Sequence, residues 1–156
     1  MKNRFYSFFV VILFALLLTA CSKSNESSFE HPSEEIASTY YSHLQKGDFE
    51  QAIRLIDSSY LNYIGYTERD FIHVFQNEQT LNGWAVTKIE IRSSDKITED
   101  INVPPLLQPL LTDHENYLVI LDLEIKSQGE TIGVVDQVLI STDDNDEWKI
   151  FGIVSY

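Results

Sequence analysis

The sequence predicts an α+β domain in which N-terminal helices pack on a curved antiparallel sheet of about four strands. Three observations carry that expectation. Apolar residues recur at three-and-four spacing between Glu34 and Asn82, apolar and polar residues alternate from Trp84 onward, and the later segments are separated by turn-forming residues. Helices followed by an unbroken run of strands describe an antiparallel sheet covered by helices on one face.

Pro32 or Ser33 opens the first helix, with Glu34 and Glu35 in the turn where the helix dipole favours acids. Ile36, Ala37, Tyr40, Tyr41 and Leu44 share its apolar face, and Gly47 is placed to end it. Asp48, with Gln51 three residues on, reads as the cap of a second helix that buries Phe49, Ala52, Ile53 and Ile56. Thr67 and Asp70 open a third, on which Phe71, Val74 and Phe75 align, and Asn82-Gly83 breaks the chain. Tyr60, Tyr63 and Tyr66, spaced by three, lie between the second and third helices as a core, rim or mouth stripe.

Four strands follow: Trp84 to Arg92, Asn116 to Lys126, Glu130 to Ser141 and Glu147 to Tyr156. Gln128-Gly129 and the run Asp143 to Asp146 make the last two turns, so the strands form a meander. The first connection, Ser93 to Glu115, is an insertion far longer than a hairpin loop of about two to five residues, and it is apolar. Leu106, Leu107, Leu110 and Leu111 suit one short helical turn primed by Pro104 and Pro105, which Pro109 stops from continuing. Such a segment either packs on the core as a flap or serves as a lid or docking patch.

Ahead of this domain, Lys2 and Arg4 precede thirteen uncharged residues, Phe8 to Ala20. A bilayer core about 30 Å thick asks for about 20 apolar residues, so residues 1–20 read as a signal peptide, with a retained helix or a secreted product cut after Ala20 as alternatives. Leu18-Thr19-Ala20-Cys21 resembles the bacterial lipobox, which implies that the only cysteine, Cys21, receives diacylglycerol and becomes the mature N-terminus. Two acyl chains at about 0.8 kcal/mol per buried CH₂ make a stable anchor where one is marginal. Residues 21–33 then form the lipidated cysteine and a Ser-, Asn- and Glu-rich tether, and 34–156 the domain, with its insertion at 93–115. The expected location is the extracytoplasmic face of the cell membrane.

Loss of Lys2 and Arg4 takes the formal charge from −13 to −15. That sign disfavours nucleic acid and pushes the body away from an anionic surface beyond its anchor. No second cysteine exists for a disulfide, so the fold rests on its core.

The order of the first helix, KGDFEQAI, a second helix, an aromatic helix, strands and DDNDEWKIFGI resembles the small cone-shaped α+β domains of the nuclear-transport-factor-two-like (cystatin-like) superfamily. Bacterial lipoproteins of unknown function and the extracytoplasmic front domain of some penicillin-binding transpeptidases are the nearest forms. Ala37, Tyr40, Leu44, Gly47, Asp48, Phe49, Ala52 and Leu55 carry the resemblance at the front and Trp148, Lys149 and Ile150 at the back, over Glu34 to Tyr156. The insertion departs from the pattern.

Enzymes of that superfamily, steroid isomerases and polyketide cyclases, hold an acid or base inside the cone, which implies a carboxylate here. Asp136 is the candidate, because it shares a strand parity with Ile132, Val134, Val138 and Ile140; the opposite parity, with Val135, Gln137 and Leu139, is the competing inner face. His73, His114, His31 and His43 show no metal spacing, the acidic turn Asp143 to Glu147 lacks the glycine and glutamate of a calcium loop, and there is no nucleophile elbow or phosphate loop. No cofactor is expected. Two functions remain: a lipid-anchored envelope module that binds an envelope protein or a small apolar ligand, and a small isomerase- or hydrolase-like enzyme using Asp136. Replacing Cys21 with Ala is expected to shift the protein out of the membrane pellet on fractionation; retention in the pellet would remove the basis for the lipid anchor.

Overall fold

The computed structural model describes residues 29–156. The expected signal peptide 1–20, the anchor Cys21 and the tether up to residue 28 lie outside the described residues. Helix α1 (Pro32–Lys46) buries Ser33, Ala37, Tyr40, Tyr41 and Leu44 and ends where Gly47 takes φ 75°, a left-handed conformation that costs glycine little. His31 caps its start, Nδ1 accepting from the Ser33 amide at 3.2 Å. The imidazole also stacks on Tyr117 at 4.0 Å and meets Trp148 edge-on at 5.1 Å. Ser33 is fully buried and its hydroxyl lies 2.8 Å from that of Ser94. The folded body therefore reaches upstream into the expected tether as far as His31, because a ring with two aromatic partners and a buried serine cannot also be a solvated linker.

The second helix is shorter than expected. α2 covers only Phe49–Ile53, and Asp48 makes no side-chain cap hydrogen bond. Ile56 instead forms a parallel bridge with Ile150, sealed by Ile150 N donating to Leu55 O and Asp57 N donating to Ile150 O, each at 2.8 Å. Those bonds to the last strand replace the bonds another helical turn would make. A further helix that the tyrosine spacing did not reveal, α3 (Ser58–Ile64), follows, with Asp57 as its cap accepting from Ser59 N at 2.8 Å. The tyrosines part company: Tyr60 is buried and donates to Ile153 O at 3.1 Å, whereas Tyr63 and Tyr66 are exposed. α4 (Glu68–Asn82) opens on the expected capping box, Thr67 N donating to Asp70 Oδ2 at 3.1 Å and Asp70 N to Thr67 Oγ1 at 3.2 Å.

The four strands, β1 (Ala85–Lys96), β2 (Tyr117–Ser127), β3 (Glu130–Thr142) and β4 (Trp148–Ser155), form one open antiparallel sheet in the order β1-β2-β3-β4. β1 runs further than expected, since Ser93 to Lys96 pair with Ile120 to Tyr117 beyond a bulge. The strand pattern looked finished at Arg92 because Ser93, Ser94 and Asp95 carry no apolar alternation. The insertion thus begins after Lys96.

Strand alternation divides the sheet into two apolar faces. Val119, Leu121, Leu123, Val138 and Ile140 face the helices. Leu118, Leu139 and Gly152 face the other way, and the insertion covers them. Val103, Leu107 and Leu110 are buried there, Gln108–Leu110 forming one 3₁₀ turn. A Cβ on Gly152 would stand 2.5 Å from Leu107 Cδ2 and 3.1 Å from Leu110 Cδ1, so glycine is what lets the insertion close on the sheet. Of the four leucines, Leu107 and Leu110 serve the core packing, whereas Leu106 and Leu111 stay exposed.

That geometry separates neighbouring leucines. Leu107→Ala is expected to cost about 2–5 kcal/mol as a core truncation, while Leu106→Ala, 61% exposed, should change stability by less than about 0.5 kcal/mol. Urea denaturation of the two variants checks this, and equal midpoints would show that the insertion is not part of the core.

Candidate functional site

Two concavities bear consideration. The larger, about 490 Å³, is a polar groove lined by Asp57, Ser59, Asp113, His114, Asp143 and Asp144 among others. Two of its four acids are engaged in shaping the chain: Asp57 caps α3, and Asp143 Oδ1 accepts from Asn145 N at 2.8 Å and Glu147 N at 3.0 Å. The Glu147 amide, with Asn145, holds the Asp143 carboxyl below its ordinary range. The acidic run is thus a turn organised around Asp143, with Asp146 at φ 61°.

The second, about 310 Å³, lies between α1, α4 and the helix-facing side of the sheet. α1 contributes Tyr40, Tyr41 and Leu44, one turn apart along its buried face. α4 contributes Phe71 and Phe75, half-buried on a helix that has no fully buried residue. Trp84 closes the end near the α4 to β1 turn, its ring 5.0 Å from that of Phe75. The floor is Val86 of β1, Leu123 and Ile125 of β2, and Ile153 of β4. The walls are apolar and aromatic apart from Ser155 and the tyrosine hydroxyls, and no lining residue is charged, with one exception.

That exception is Asp136. β3 places it opposite Leu121 on one side and Ser155 on the other, on the helix-facing side together with Val138 and Ile140. The opposite parity faces the insertion. Asp136 is 5% exposed. Tyr41 Oη donates to its Oδ2, a short contact joining α1 to the middle of the sheet, while Oδ1 is shielded from water and has no hydrogen-bond partner. Burial pushes the Asp136 carboxyl above the ordinary carboxylate range, partly offset by the Ser155 and Tyr41 hydroxyls. Burial likewise raises Tyr41 well above a normal phenol, and the Asp136 charge adds to the rise; Tyr40 and Tyr60 are raised by burial too.

The other residues singled out in the sequence lie elsewhere. His73 is exposed on α4, His114 is exposed beside the polar groove, and His43 Nδ1 sits 3.9 Å from Asp48 Oδ2. Sequence reasoning found Asp136 but not Tyr41 as its partner. The three-and-four spacing marked Tyr41 as a core residue, and no local pattern tells a core tyrosine from one reaching a strand ninety-five positions away.

No family model matches the chain. A curated relative, the outer membrane protein assembly factor BamD of Pasteurella multocida (strain Pm70), is 34% identical over 81 residues, which is 50% of this chain and 31% of that protein. Among solved structures, Bdellovibrio bacteriovorus Bd1075 matches over 87% of this chain and 44% of its own, with a TM-score of 0.55 and 11% identity. The chain therefore spans less than half of either protein, and the second likeness is one of fold. It is the α+β architecture expected from the sequence.

Asp136 carries a consequence for stability. Its native pKa lies above the unfolded value, so the native state holds the proton more tightly, and the stability from this group is present at low pH and lost as pH rises through the raised native value. Asp136→Asn keeps an acceptor for Tyr41 and removes the buried charge. It is expected to be more stable than the parent at pH 7, the gain fading as pH falls through the raised native value and gone below about 4, the ordinary carboxylate range. Urea melts between pH 3 and 8 check this, and parallel pH profiles for the two proteins would contradict it.

Proposed function

We propose that this protein is a lipid-anchored module on the extracytoplasmic side of the bacterial envelope, and that its cleft takes a small, largely apolar ligand. The observation that carries the ligand is the cleft itself, a largely aromatic and aliphatic concavity of about 310 Å³ whose polar groups are Asp136, Ser155 and the tyrosine hydroxyls. Sites for small molecules have this build, apolar surroundings with few polar groups that fix orientation. Cys21, in its lipobox-like context, supports the anchor, and the partial likeness to an outer membrane assembly factor supports the envelope.

A second reading is a small isomerase- or hydrolase-like enzyme with Asp136 as base. The raised carboxyl inside the cleft favours it, since burial of this kind poises acids for proton transfer. Binding is the better supported, because no histidine lines the cleft and the groups beside Asp136 are the hydroxyls of Ser155 and Tyr41, the latter itself raised. Neither reading involves nucleic acid.

Methyl-resolved NMR of the full chain titrated with p-cresol tests the cleft. Shifts at Leu123, Ile125 and Ile153, with a dissociation constant tighter than about 1 mM, are expected, and Leu107 and Leu139 on the far face should stay in place. Shifts confined to the far face, or none, would overturn the proposal.

A further inference from the structure

The cleft combines two features, the second of which a purely apolar ligand leaves unused. Six aromatic rings line it, those of Tyr40, Tyr41, Tyr60, Phe71, Phe75 and Trp84, and these surround one carboxylate that has no counter-ion. The basic side chains that form ion pairs do so elsewhere: Lys88 with Glu90, Arg92 with Asp122, Lys96 with Glu115 and Lys149 with Glu147, all away from the cleft. No lining residue is basic. Asp136 Oδ1 is left buried with an unused acceptor.

From this arrangement we infer that the ligand is an organic cation, an ammonium group, primary or methylated, on a small apolar body, with Asp136 balancing its charge and the ring faces packing around it. Ring faces carry the negative side of an aromatic quadrupole and attract cations, most strongly where water is excluded. A buried carboxylate without a counter-ion repels anions and gains most from a positive charge, since the low dielectric around it strengthens the attraction. The formal charge of −13 adds a long-range field of the same sign, which concentrates cations near the domain. A neutral ligand would use the rings but leave Oδ1 as it is, and an anion has no partner in the cleft. This inference rests on the ligand-binding reading and narrows it to one charge class.

The test compares choline with its uncharged analogue 3,3-dimethylbutan-1-ol and the anion 3,3-dimethylbutanoate, three water-soluble probes of nearly one shape. The full chain, in nanodiscs free of choline lipids, is titrated with each in 0.5 M salt, where diffuse attraction to the acidic surface is largely screened. The cleft methyls of Leu123, Ile125 and Ile153 report occupancy. Choline is expected to bind at least tenfold more tightly than the alcohol, with no saturable response to the anion. In Asp136→Asn the choline affinity should fall to that of the alcohol while the alcohol is unchanged. Choline binding no more tightly than the alcohol in the parent chain, whether both bind or neither does, overturns the inference; that comparison needs no variant. The p-cresol titration then separates the two failures: cresol shifts at the cleft leave the apolar site standing, and their absence removes both.

Discussion

The sheet of this protein is apolar on both faces, and the architecture follows from the need to cover both. A four-stranded sheet with Val119, Leu121, Val138 and Ile140 on one side and Leu118 and Leu139 on the other exposes too much apolar surface to be stable with one layer of helices alone. Each fully buried side chain of this size contributes about 1.5–3 kcal/mol, and the chain has no disulfide with which to compensate for an uncovered face. The insertion between β1 and β2 supplies the second cover. Its prolines hold a short irregular path, Leu107 and Leu110 make the contact, and Gly152 yields the space.

Covering the first face is less complete, and the incompleteness is the cleft. α1 lies directly on the sheet through Ala37, Tyr40, Tyr41 and Leu44. α2 ends early because Ile56 is drawn to β4, so the chain returns through α3 before it can lay down α4. By then the helix meets the core through the half-buried Phe71, Ile72 and Phe75, of which Phe75 stacks on Phe49 and lies tilted against Phe71 and Trp84. Large rings on a helix that stands off the sheet span a gap without filling it.

Periodicity made the fold legible, and it failed where a contact across the fold outweighed a local preference. The capping box at Thr67 and Asp70 and the alternation along β2 are decided by neighbours in the chain, so the sequence displays them. α2 is different. Phe49, Ala52, Ile53 and Ile56 have the spacing of two helical turns, but the backbone of Leu55 and Asp57 pairs with Ile150, nearly a hundred residues away, and the helix stops. The end of β1 was hidden for the opposite reason: Ser94 pays no apolar rent in the pattern, yet its hydroxyl meets Ser33 and its backbone pairs with Val119. At the site, the strand parity pointed to Asp136, while the choice between the two faces needed the helices to be placed.

The treatment of buried polar groups elsewhere in the molecule argues that Asp136 is more than a structural polar residue. Ser141, fully buried, donates to Glu115 O at 3.0 Å and lies 2.7 Å from the Thr112 hydroxyl, so it pins the insertion to β3 with its capacity used. Ser33 is likewise engaged on both sides, by His31 and by Ser94. Buried polar residues that fix a fold are satisfied in this way, since each unmet group costs about 1–3 kcal/mol. Asp136 takes the Tyr41 hydroxyl on Oδ2 and has the Ser155 hydroxyl beside its carboxyl, while Oδ1 lacks a close partner. The other buried unpartnered atom, His43 Nδ1, sits on a half-exposed ring with the Asp48 carboxylate near it, whereas Asp136 has no charge of opposite sign within the cleft it lines. A serine or threonine would accept the Tyr41 hydrogen bond without burying a charge. The carboxylate at this position is therefore a charge that packing α1 on the sheet does not itself require, held on a strand and oriented by a tyrosine of the helix above it.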